Sequence, residues 1–143
     1  MKPIKQKYFH IPNVQNGDCW RACIASVIEC DINELPSMPI DESWSEYCQK
    51  MDKRLAELGW ENCQYPVRRI TEDLLASPDT NGYVLALGKS PRFNSSIERI
   101  NHYVVWKNGI VHDPHPENQG IMDIIDFEIM KKIRVIPLNQ TYE

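Results

Sequence analysis

Asn108-Gly109 stands between two runs of strand-forming residues, His102-Tyr103-Val104-Val105-Trp106 and Ile110-Val111-His112-Asp113. No other feature of the chain restricts its fold as much. Asn and Gly reach φ > 0 at little cost, as a two-residue hairpin turn demands of both central residues. An antiparallel pair is expected here. With Asn108 and Gly109 as the loop, Lys107 pairs with Ile110, Val104 with Asp113 and His102 with His115. His102 and Asp113 then share a face as diagonal neighbours, with Cβ atoms ~7 Å apart or somewhat less. A slip of one residue would turn Asp113 to the other face.

Upstream, the periodicity is helical. Pro3, Pro12 and Gly17 mark residues 1–17 as irregular. Asp18 reads as the N-cap of a helix over Cys19–Ile28, and the slim side chains of Ala22, Cys23, Ser26 and Val27 let that helix sit deep in a core. A loop follows at Asn33-Glu34-Leu35-Pro36. A second helix is expected from about Glu42 to Leu58, with Trp44, Tyr47, Cys48, Met51, Leu55 and Leu58 as its apolar stripe, Lys50, Asp52, Lys53, Arg54 and Glu57 on the other side, and Gly59 as its stop. Ile70–Ala76 predicts a short turn of helix capped by Thr71. Tyr83–Leu87 predicts a buried strand, and residues 88–100 a polar loop. The last strand is placed within Ile124–Pro137, with residues 127–133 open to a helix instead. Helices first and strands later argue for an α+β fold with N-terminal helices packed on a small antiparallel sheet. The 143 residues suit one domain over the whole chain, 1–143.

Composition excludes several classes. Sixteen basic against twenty acidic residues, the basic ones scattered, make a poor grip on a nucleic-acid backbone, so no nucleic-acid partner is expected. No apolar run approaches the ~20 residues that span a bilayer, and no membrane partner is expected. Met1–His10 has no apolar stretch of the kind a secretory signal needs. Five cysteines, an odd number without such a signal, point to reduced thiols and a cytoplasmic setting. Neither GxGxxG nor GxxxxGK[ST] is present, so no nucleotide loop is indicated.

Cys19, His102 and Asp113 form the constellation that carries chemistry. Cys19 falls in the first turn of the first helix, where free N–H groups and the helix dipole favour an anion; the thiolate, not the thiol, is the nucleophile. The Asp18 carboxylate opposes that effect unless it is otherwise engaged. The backbone N–H of Cys19 is also available to a developing oxyanion. Asp113 would fix the tautomer of His102 through one ring nitrogen and leave the other for Cys19. On the residues alone, a packed Cys19 and a surface His102 remain equally open.

Gln15-Asn16-Gly17-Asp18-Cys19-Trp20-Arg21-Ala22-Cys23 resembles the nucleophile segment of papain-like cysteine peptidases, closest to the small bacteriocin-processing, C39-type branch. His102-Tyr103-Val104-Val105, then Val111-His112-Asp113-Pro114, resemble the His strand and Asp-Pro of that branch. The chain is also similar, over nearly its whole length, to small uncharacterised phage and bacterial proteins with Gly-Asp-Cys-aromatic-Arg-Ala-Cys (here residues 17–23), Ser-Pro-Arg (90–92) and His-Asp-Pro-His-Pro (112–116). The resemblance implies a papain-like domain with Cys19 as nucleophile, His102 as general base and acid, and Asp113 as the residue that orients it. Its oxyanion-hole glutamine maps to Gln15, four residues before Cys19, although the family spacing of six falls on Asn13.

Arg92 is a candidate for gripping a carboxylate or phosphate, or else a solvated loop arginine. Trp20 either walls the site or packs in the core, and His115 is placed at the rim near His102. The chain is short for two papain-type lobes, so a shallow or narrow groove is expected. A metal site from His112, Asp113, His115, Cys19 and Cys23 lacks the spacing of ordinary zinc motifs, and neither metal nor cofactor is implied. The expected activity is a thiol hydrolase that cleaves a peptide, isopeptide or other amide bond. Its substrate would be a peptide or protein, a host protein if the chain is phage-encoded. The alternatives are an acyl transferase of the same geometry and a non-catalytic binding or inhibitor protein on the same fold.

Overall fold

The computed structural model describes residues 1–94 and 99–138. Its elements are α1 (Cys19–Ile28), α2 (Trp44–Glu57), β1 (Trp60–Pro66), α3 (Glu72–Leu75), β2 (Val84–Asn94), β3 (Arg99–Trp106), β4 (Ile110–His112) and β5 (Met122–Lys132). The strands make one antiparallel sheet in the order β1-β5-β2-β3-β4. The fold is α+β, as the order of periodicities implies. No helix among the described residues is long and apolar enough to cross a membrane.

Strand alternation divides the core in two. Leu85, Leu87, Tyr103, Val105 and Met130 meet α1 and α2 on one face of the sheet. Val84, Ala86, Val104, Phe127 and Ile129 pack on the other, under Tyr65, Ile70, Leu74 and Trp106. Ala22, Cys23, Ile24 and Ala25 of α1 are fully buried, so the slim helix is indeed deep. Burial of Ile24 alone is worth about 2–3 kcal/mol. In α2, Ser43 caps the helix by accepting from the Glu46 N–H (3.1 Å), and Tyr47, Met51 and Leu55 are its buried stripe. Trp44, expected in that stripe, is half exposed at the start of the helix.

Several expectations need correction. The polar loop placed at residues 88–100 is largely strand: β2 continues to Asn94 and β3 starts at Arg99, while residues 95–98 lie outside the described residues. The β2–β3 register shifts between Lys89 and Asn94. Pro91 falls in that irregularity, where no ladder bond is asked of its nitrogen. β1 has no counterpart in the sequence reading. It is an edge strand paired only with β5, and its polar Glu61, Asn62 and Gln64 mask the pattern. Residues 127–133 are mostly strand, within β5 between β1 and β2, so the helical option falls.

The hairpin forms with a three-residue tip. Trp106, not Lys107, stands opposite Ile110, and Lys107 N–H donates to Gly109 O (2.8 Å). Asn108 (φ 55°) and Gly109 (φ 128°) take the left-handed positions, the second open to glycine far more readily than to other residues. A bulge then absorbs one residue, and Val105 meets His112, the register in which Val104 faces Asp113. The ladder stops there: β4 ends at His112, so the expected pairing of His102 with His115 does not form.

The first residues, irregular as expected, are nonetheless tied down. Lys2 N–H donates to Ser26 O (3.0 Å) and Ile4 N–H to Ser26 Oγ (2.9 Å), both on α1. On the other side, His112 Nε2 bonds Ile4 O (2.7 Å), Gln6 N–H donates to Pro114 O (3.0 Å) and Lys5 Nζ to Asp113 O (2.8 Å). The strap joins the nucleophile-bearing helix to the segment that follows β4.

Candidate active site

Cys19 is the first residue of α1 and is partly exposed, on the wall of a cavity of about 620 Å³. The N–H groups of the first helical turn have no intrahelical acceptor and are free for an anion. Asp18 occupies the N-cap position, but its side chain makes no cap bond. Its carboxylate accepts from Tyr8 N–H (2.9 Å) and Lys7 N–H (3.3 Å), both in the strap, and from Arg21 Nη1 (3.4 Å). The strap competes successfully for the capping oxygen, and Arg21 balances the charge. The nearest carboxylate in sequence is thereby spent before it can oppose a thiolate at Cys19.

His102, on β3, is buried, and its Nε2 lies 2.7 Å from Asp113 Oδ1. Asp113 Oδ1 also accepts from His115 N–H (2.9 Å), and Oδ2 from Gly120 N–H (2.8 Å). Burial alone would raise the Asp113 carboxyl; the bonds from His102, His115 and Gly120 outweigh it and bring it down to about 2. Burial likewise pulls His102 down, but hydrogen bonds to Asp113 and to the Cys19 side chain more than offset this and carry it to about 9. With Nε2 given to Asp113, Nδ1 is the nitrogen left for Cys19. At neutral pH the imidazole is therefore protonated beside the sulfur, the arrangement in which an imidazolium stabilises a thiolate.

The structure thus brings Cys19, His102 and Asp113 together, and Trp20, Arg92 and His115 line the same cavity. Trp20 does both things considered for it: it walls the cavity and is only 5% exposed, with its indole ring 5.0 Å from Trp44 and 5.6 Å from Tyr47. Gln15 is placed elsewhere. It closes a tight turn with Ile11, spends its amide on Phe9 O (2.8 Å) and does not line the cavity. Asn13 is exposed on that turn with φ 59°. The carboxamide that does line the cavity from the strap is Gln6: its Nε2 donates to Tyr8 O (2.8 Å) and its Oε1 is buried with no partner among the described residues. A Cβ at Gly17 would stand 3.7 Å from Gln6 Nε2, which puts the amide beside the turn into α1. Spacing could not reveal Gln6, because the strap reaches the site by its bonds to Pro114 and Asp18 and not by proximity in sequence.

Glu128 also escaped the sequence reading. It is buried in β5 and accepts from Trp20 Nε1 (2.7 Å) and Asn62 Nδ2 (2.5 Å), with Tyr103 as a further hydrogen-bond partner. Desolvation raises its pKa and the three partners pull it back. One acidic residue inside the apolar run Phe127–Met130 was the available signal. Cys23, fully buried beneath the nucleophile, has its thiol pushed well up, chiefly by burial. No group of three or more His, Cys, Asp or Glu among the described residues is arranged to hold a metal. His112 gives its Nε2 to Ile4 O.

Compared with known proteins, the chain matches no family model, and no curated protein or solved structure shows significant similarity to it.

Proposed function

We propose that the chain is a papain-like thiol hydrolase that cleaves a peptide, isopeptide or other amide bond through Cys19, His102 and Asp113. The observation that carries this reading is the His102–Asp113 hydrogen bond (2.7 Å) with the Cys19 side chain interacting with the same imidazole, at the start of a buried helix and on the wall of a cavity. The Cys19 thiolate attacks the carbonyl carbon, and a carbon–sulfur bond forms. The oxyanion is held by the backbone N–H of Cys19 and, because Gln15 does not line the cavity, by the second Nε2 N–H of Gln6, whose first goes to Tyr8 O. The His102 imidazolium gives its proton to the nitrogen, and the amine leaves as the carbon–nitrogen bond breaks. Water then attacks the thioester, His102 takes its proton, and the acid is released with the thiolate restored. Asp113 stays ionised throughout and holds the ring in place. The aromatic wall of Trp20, Trp44, Tyr47 and Tyr103 suits an apolar portion of a peptide or protein substrate.

A library of peptidyl aminomethylcoumarins tests this, with intact-mass spectrometry of the protein. Cleavage by the wild type, none by Cys19→Ala, and an acyl adduct on Cys19 are expected. Equal turnover by the two proteins would overturn the reading.

A further inference from the structure

The cavity that holds Cys19 also holds an unanswered cation. Arg92, on the outer part of β2, lines it, and its Nε and Nη1 are shut off from solvent without a hydrogen-bond acceptor among the described residues. The contrast with Arg21 is direct. Arg21 is buried where Arg92 is half-buried, and its Nε donates to Leu35 O (3.1 Å) and its Nη1 to Asp18. The other ion pair of the site, His102–Asp113, leaves Arg92 out. Glu117 is also on the cavity wall, but it is exposed and forms no ion pair with Arg92. Two enclosed guanidinium N–H groups without an acceptor carry a desolvation cost. Nε and Nη1 gain a partner when something entering the cavity brings an acceptor.

His115 places this cation close to the chemistry. Its backbone N–H shares Asp113 Oδ1 with His102. Burial lowers its pKa, and the nearby Arg92 and His102 cations lower it further against the pull of Glu117 and Asp113. Its Nδ1 accepts from Glu117 N–H (3.1 Å), which leaves the proton on Nε2 as a second donor. Apolar and aromatic side chains such as Phe9, Leu87 and Tyr103 share the wall. The cavity therefore offers one cationic corner in a largely apolar room.

From this we infer that the substrate carries an oxyanion, a carboxylate or a phosphate, a short reach from the scissile carbonyl, and that Arg92 with His115 Nε2–H receives it. The inference rests on Cys19 being the nucleophile of the proposed function. It narrows the substrate class to acyl compounds with an apolar body and one anionic group.

Two alkylating reagents test it, iodoacetamide, which is neutral, and iodoacetate, which brings its own carboxylate. The rate ratio of iodoacetate to iodoacetamide at Cys19 is measured in wild type, Arg92→Gln and Arg92→Lys, with thermal melting as the check on folding. The ratio is expected to fall roughly tenfold in Arg92→Gln and to recover in part in Arg92→Lys, as a charge-assisted contact requires. Acetate and inorganic phosphate should slow iodoacetamide labelling of the wild type and not of Arg92→Gln; the stronger protector tells carboxylate from phosphate. An unchanged ratio together with unchanged protection in Arg92→Gln would overturn the inference. If Cys19 reacts with neither reagent, it is the nucleophile reading that fails. Acetate and phosphate titrations of Cys19→Ala and Cys19→Ala/Arg92→Gln, followed by amide chemical shifts, then decide the anion site by itself: binding that needs Arg92 upholds it, and equal or absent binding in both removes it.

Discussion

Asp113 takes one hydrogen bond from His102 on β3 and two from the backbone of its own loop, and this is what makes His102 a base of fixed orientation. The same bonds link stability to pH at both ends of the scale. Asp113 is lowered from 3.8 to about 2 on folding, so its contribution is present above the unfolded carboxylate range and is lost as pH falls towards 2. His102 is raised from 6.5 to about 9, so its contribution is full below pH 6.5 and disappears as pH rises through 9. Urea denaturation between pH 2 and pH 10 should show both losses, and Asp113→Asn should flatten both, at a cost on the order of 2 kcal/mol near pH 6. A profile with the same shape in the mutant would contradict the pairing. Cys19, His102 and Asp113 were legible in the sequence because local rules place them: a helix start for the first and a hairpin for the other two. Gln6 and Glu128 were not, since each reaches the site through contacts between distant segments.

The elements show the same division. α1, α2 and the β3–β4 hairpin follow from periodicity and turn chemistry, whereas β1 and the outer part of β2 did not, because an edge strand and an irregular ladder carry no regular alternation. The bulge near the hairpin tip mattered most for the site, since it returns Val105 to His112 and so keeps Asp113 within reach of His102. Gly88 is the close approach on which this part of the sheet depends. It pairs with His102 on one side and Ile124 on the other, and a Cβ there would stand 2.9 Å from the Ile121 Cβ and collide with the Asp123 carbonyl oxygen. Gly88→Ala should therefore cost about 2 kcal/mol of stability by urea denaturation and slow the labelling of Cys19 by displacing His102. A fully stable and fully reactive variant would show that the contact has slack.

At the scale of the whole molecule, the site is where the strap, the helical layer and the sheet converge. Glu128 ties the helix to the sheet through Trp20, Asn62 and Tyr103. Glu128→Leu strands these buried partners and should cost about 2–4 kcal/mol in thermal or urea unfolding, with a shift in tryptophan fluorescence, whereas Glu128→Gln should cost less because its amide still offers an acceptor. Equal stability of Glu128→Leu and wild type would remove Glu128 from this role. All five cysteines are free, and burial raises the thiols of Cys23, Cys30, Cys48 and Cys63. Cys19 alone has a buried imidazolium as its partner. The most direct measurement is thus iodoacetamide labelling against pH, with each cysteine assigned by mass spectrometry, on wild type and His102→Ala. The account predicts that Cys19 labels at pH 6 at least about tenfold faster than any other cysteine, and that His102→Ala abolishes the difference. Uniform slow labelling of every reachable cysteine in the wild type would contradict it.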